Sequence, residues 1–183
     1  MASFWSQANL EPKRQFRWLM YFANMPQFIA KSTAKPQFQI GESKHDFLNY
    51  EFYFPGKVKW QTLQFKITDP VQPDSTHSLY RILDAAGYTP PNNYTQENPR
   101  TISKKAFVDS LGGFIRIEQI GAGSGDQTTA PLEIWTLKNP FITNVNFGSL
   151  DYAQEGQVDI DITVRYDWAN LESPGATGWP ENN

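Results

Sequence analysis

Residues 156–168, GQVDIDITVRYDW, alternate without a break. Val158, Ile160, Ile162, Val164 and Tyr166 fall on one side, and Asp159, Asp161, Thr163, Arg165 and Asp167 on the other. Successive side chains of a β-strand point to opposite faces, so the stretch predicts a strand with one apolar and one polar, carboxylate-bearing face. No helix of 3.6 residues per turn keeps those two sets apart. The apolar side needs a core, and the open question is what the polar side faces.

The rest of the chain supports a mainly β fold. Its 183 residues suit a single domain, expected over 13–171, between a flexible N-terminal segment at 1–12 and a flexible C-terminal tail at 172–183. Thirteen Phe, eight Tyr and six Trp, with thirteen Pro and twelve Gly spread between them, have the balance of strands broken by turns. RQFRWLMYF puts Phe16, Trp18, Met20 and Phe22 on one side of a first strand, and 28–34 and 38–40 read as short strands separated by Lys35-Pro36. Residues 45–70 read as a long hairpin that turns at Pro55-Gly56, with a bulge near Gln61-Thr62. Its first arm sets Leu48, Tyr50, Phe52 and Phe54 against Asn49 and Glu51.

One clear helix follows, capped by Asp74 or Ser75 and stopped at Gly87, with Leu79, Ile82, Leu83 and Ala86 at helical spacing. A brief second helix is expected through SKKAFVDSL, then strands at GGFIRIEQIG, LEIWTLKN and FITNVNF before the alternating stretch. The polar 88–101 segment reads as a loop.

No chemical site assembles from these residues. The absence of cysteine removes disulfides, thiolate metal sites and cysteine nucleophiles, and His45 and His77, the two histidines, lack ligand spacing. GAGSGD at 121–126 lacks the Gly-Lys-Ser/Thr of a phosphate loop and reads as a hairpin turn. Asp159 and Asp161, two apart on one strand, share a surface rather than facing each other across a cleft. Tryptophans at strand phases suit packing better than sugar stacking, although a carbohydrate-binding or adhesin-type sandwich remains an alternative. A net charge of −3 creates no field that would gather nucleic acid, and no stretch approaches the ~20 apolar residues of a membrane span. The chain is therefore expected to be neither an enzyme nor a membrane protein, to hold no metal or cofactor, and to be made in the cytoplasm.

Three stretches together resemble the tail tube proteins of contractile-tailed bacteriophages: 22–40 (FANMPQFIAKSTAKPQFQI), 47–70, and LEIWTLKNPFITNVNFGSLDYAQEGQVDIDITVRYDW. The likeness runs over roughly 13–169 and rests on the order of elements; the 88–101 loop, the GAGSGDQTTA loop and both tails depart from it. It implies a β-sandwich or barrel subunit with one flanking α-helix, whose strands join in a hexameric inner β-barrel. The rings would stack inside a sheath, in the tail of a virion, with DNA passing through the bore unbound. The implied partners are further copies of the chain, the sheath, and baseplate and tail-terminator proteins; the type VI secretion inner tube and a baseplate tube-initiator are neighbouring alternatives. On this reading the channel-lining residues are Asn49, Glu51, Gln64, Lys66, Asn144, Asn146, Asp159, Asp161, Thr163 and Arg165. Three acids against two bases would make that wall weakly negative and poor at holding phosphates.

Overall fold

The structure, a computed structural model, describes residues 13–91, 101–121 and 131–174. The 1–12 segment, the tip of the 121–126 loop, most of the 88–101 loop and the tail beyond residue 174 lie outside the described residues.

Among the described residues, ten strands and two α-helices follow in chain order, with a 3-10 turn at Gln27–Ile29. The strands are β1 (Trp18–Tyr21), β2 (Ala30–Thr33), β3 (Phe38–Phe47), β4 (Tyr50–Trp60), β5 (Leu63–Thr68), β6 (Phe114–Ile120), β7 (Pro131–Lys138), β8 (Phe141–Asn146), β9 (Asp159–Arg165) and β10 (Trp168–Glu172). The helices are α1 (Ser75–Ala85) and α2 (Lys104–Ser110). One antiparallel sheet runs β1-β6-β7-β10, a second runs β2-β5-β9-β8, and β3 and β4 pair only with each other.

The two four-stranded sheets meet through one core. Ile115, Ile117 and Leu137 come from the first, and Leu63, Phe65, Ile67, Ile160, Ile162 and Val164 from the second. Each such side chain taken from water contributes about 1.5–3 kcal/mol before entropy is counted. Leu79, Ile82 and Ala86 of the α1 region, with Phe107 and Leu111 from α2, close one end. The Asp74 carboxylate accepts the His77 amide hydrogen at 2.8 Å and starts α1. Gly87 ends it at φ +110°, where an added Cβ would strike the Thr101 carbonyl oxygen. Ser103 caps α2, which is the brief second helix expected through SKKAFVDSL.

The expected hairpin over 45–70 is corrected. Its turn is Leu48-Asn49, with Leu48 at φ +54°, and β4 runs straight through Pro55-Gly56. An apolar residue carries no turn signal, while Pro55 is tolerated because an isolated two-stranded ribbon consists entirely of edges. Gln61-Thr62 is a break between strands, after which β5 joins a different sheet. The short strand at 38–40 is the start of β3, the 28–34 strand is the 3-10 turn followed by β2, and β10 carries no prior sequence signal.

Candidate functional site

The second sheet presents a polar side opposite the core. Asn146, Asp161, Lys66 and Ser32 fall in one cross-strand row, and Asn144, Thr163 and Gln64 in the next. Asp159 lies opposite Thr68 at one end of this side, and Arg165 opposite Phe141 at the other. Eight of the ten residues singled out from the sequence therefore share one surface. Ser32, Thr33, Gln64, Lys66, Asn144 and Asn146 help to line an open hollow of about 500 Å³ on it.

Asn49 and Glu51 are not brought there. They lie at the far end of the β3–β4 ribbon, Asn49 in its turn and Glu51 paired with Lys44. The same alternation continues through both segments, so spacing along the chain could not separate them.

The charges on the sheet are locally matched. Lys66 Nζ lies 3.3 Å from Asp161 Oδ1, and Lys31 Nζ donates to Asp159 Oδ2 at 2.7 Å. Lys31 and Ser32 on β2 were missed by sequence reasoning, because nothing local shows that a four-residue strand ends up beside β5. With Lys31 in and Glu51 out, two carboxylates meet three cations, and the surface is weakly positive rather than weakly negative, its excess cation being Arg165 at the end of the sheet. Among the described residues of these rows the one aromatic is Phe141, opposite Arg165 at the end of the sheet.

Among the described residues, both outer strands of this sheet lack a second neighbour: β2 beyond β5, and β8 beyond β9. An unpaired strand edge leaves a row of N–H and C=O groups open to another chain. The four strands alternate in direction, so β8 and β2 run antiparallel to each other.

The other side of the molecule holds its one strongly perturbed carboxylate among the described residues. Glu133 on β7 is buried, which by itself raises its pKa and is the largest single influence. Hydrogen bonds from Lys13, Lys35 and Trp135 together outweigh burial and bring the pKa down to about 2. Lys35 also donates to Gln119 Oε1 at 2.6 Å, so the link between β2 and β3 is tied to the first sheet.

Among the described residues no group of three or more His, Asp or Glu could hold a metal ion, and no helix is long and apolar enough to cross a membrane.

No protein-family model matches this chain, and no curated protein matches it in sequence. Solved structures do match in fold. A chain of the sheath/tube terminator of the extracellular contractile injection system PVC, in its extended state, aligns at TM-score 0.63 and 15% identity, over 91% of this chain and 100% of its own. A chain of the PVC sheath-tube complex aligns at 0.59 and 15%, over 94% and 99%. A chain of the tube-terminating cap of the anti-feeding prophage aligns at 0.63 and 14%, over 94% and 99%. At such identities the likeness shows the fold alone: this chain shares the β-rich fold of chains in these contractile injection system sheath, tube and terminator structures.

Proposed function

We propose that this chain is the structural tube subunit of a contractile injection machine. The observation that carries the reading is the second sheet. It is buried on one side, polar on the other, and unpaired at both ends. Joining β8 of one copy to β2 of the next continues the antiparallel alternation around a ring, and closure removes both exposed edges of this sheet. The polar side then lines a wide, water-filled bore, as a many-stranded barrel allows. A ring of six is supported by the six-fold symmetrised baseplate of the anti-feeding prophage, another structure of similar fold.

The wall suits a conduit. Each lysine or arginine that neutralises a phosphate releases counterions and adds salt-dependent grip on DNA. Here Lys31 and Lys66 already lean on Asp159 and Asp161, and the cross-strand rows between them carry Asn, Gln, Ser and Thr side chains that offer no stacking platform. Duplex DNA would slide rather than bind, as the tail of a virion requires. Stacked rings, an outer sheath, a baseplate and a terminator are the partners this role implies. The fold's presence in PVC and the anti-feeding prophage favours a second reading, the tube of an extracellular contractile injection system.

Electron microscopy of the purified chain tests the reading. Rings or tubes with a central hole are expected; a monomer at all concentrations would overturn it. Sheath, portal and baseplate genes beside this one would separate a virus tail from the extracellular particle.

A further inference from the structure

The β3–β4 ribbon has two chemically different sides at its tip. Register pairs Phe47 with Tyr50, His45 with Phe52 and Ser43 with Phe54 on one side, and Asp46 with Glu51, Lys44 with Tyr53 and Glu42 with Pro55 on the other. The second side is satisfied internally: Lys44 Nζ lies 2.5 Å from Glu51 Oε1 and 3.1 Å from Asp46 Oδ1, and the Tyr53 hydroxyl donates to Glu51 at 2.8 Å. The aromatic side is not. Phe47, Tyr50, Phe52 and Phe54 are 60%, 68%, 48% and 57% exposed. Fully buried rings cover 150–250 Å² each, so four half-exposed ones leave roughly 400 Å² of apolar surface wet, the scale at which a patch on a monomer marks an interaction site.

Nearer its root the ribbon is apolar on the opposite side. Phe38, Ile40, Val58 and Trp60 share it, and the register shift between Ile40 and Glu42 separates the two halves. The root is seated on its own sandwich through Trp60, 6.0 Å from Tyr166 and 5.5 Å from Phe38, while Phe38, Ile40 and Val58 stay about half exposed. The aromatic row of the tip therefore lies on the other side of the ribbon from the contact that seats its root.

A matching apolar surface stands elsewhere on the same chain. A groove of about 710 Å³ between α1, α2 and β8 is lined by Leu83, Tyr88, Ile102, Phe107, Phe141 and Phe147, among others. It opens beside the unpaired edge of β8. The ribbon springs from the other unpaired edge, since only residues 34–37 separate β2 from β3. Four residues span at most about 14 Å. Whichever copy sets its β2 against β8 must bring its ribbon to the flank that holds the groove, a geometry that rests on the ring join proposed above.

We infer that the occupant of the α1–α2–β8 groove is the aromatic tip of the β3–β4 ribbon from a second copy of this chain. Edge pairing closes the bore on the inner side, and the ribbon fastens the same two copies on the outer side. Each contact then fixes the angle at which the other forms.

Site-specific photo-crosslinking on the full chain tests this. A benzophenone amino acid is placed at Phe52 on the aromatic side, at Tyr53 on the charged side, or at Ser32 on the β2 edge, in mixtures of isotope-labelled and unlabelled protein read by mass spectrometry. The Phe52 probe is expected to join residues 79–88, 102–107 or 141–147 of another copy, and the Tyr53 probe to lose that product. If the Ser32 probe captures β8 of a second copy while the Phe52 probe captures another surface or no chain, the ribbon assignment is overturned and the ring stands. If neither probe finds a second copy, and no rings form, both fall together.

Discussion

Lys66 and Asp161 stand directly opposite each other on β5 and β9, their charged groups 3.3 Å apart on the polar side of the sheet. Both are substantially exposed, and pairs of this kind contribute about 0.2–1 kcal/mol. Lys66→Met and Asp161→Asn should each change unfolding free energy by less than about 1 kcal/mol in urea titrations. A larger loss would mean the pair supports the fold rather than the bore.

Reversing charge on that side should act on passage more than on assembly. With Asp159→Lys and Asp161→Lys together, two matched pairs become ammonium beside ammonium, next to Lys31 and Lys66. Tubes should still form, modestly less stable, while DNA ejection slows and becomes sharply salt-dependent. Ejection at the parental rate, with tubes intact, would count against this surface lining the bore.

Ile162 is 1% exposed in the middle of β9, on the side opposite Asp161. Ile162→Asp places an unpaired carboxylate among Leu63, Phe65 and Val164, a loss of more than about 4 kcal/mol. The expected outcome is insoluble or unfolded protein by circular dichroism. Folded protein that assembles would show the two sides of the strand to be reversed.

Glu133 makes stability depend on acid. Its folded pKa of about 2 lies below the ordinary value of 4.5, so its contribution is complete above pH 4.5 and disappears as pH falls toward 2. Glu133→Gln should lower stability at pH 7 by about 1–3 kcal/mol and flatten the melting temperature between pH 4.5 and 2. An unchanged acid profile in the variant would place the pH dependence elsewhere.

Gly87→Ala forces a Cβ at φ +110° toward the Thr101 carbonyl, and should cost about 1–3 kcal/mol by thermal melting. An unshifted midpoint would count against a close approach of the Thr101 carbonyl to Gly87.

Much of the molecule was legible because its signals are local. Alternation in β9 identified Ile160, Ile162 and Val164 as core and Asp159, Asp161 and Thr163 as the other side, and Asp74 and Gly87 marked α1. Cβ direction reverses at every residue of a strand and caps act within a turn, so neither depends on distant partners. The ribbon was hidden for the same reason. Phe52 and Phe54 alternate with Glu51 as core residues do, and only the missing neighbour shows that their apolar side stays exposed. The assignment of strands to sheets, the placing of Lys31 beside Asp159, and the two open edges were decided by long-range pairing. That pairing depends on which segments meet once the chain has closed on itself, information that no short window of residues contains.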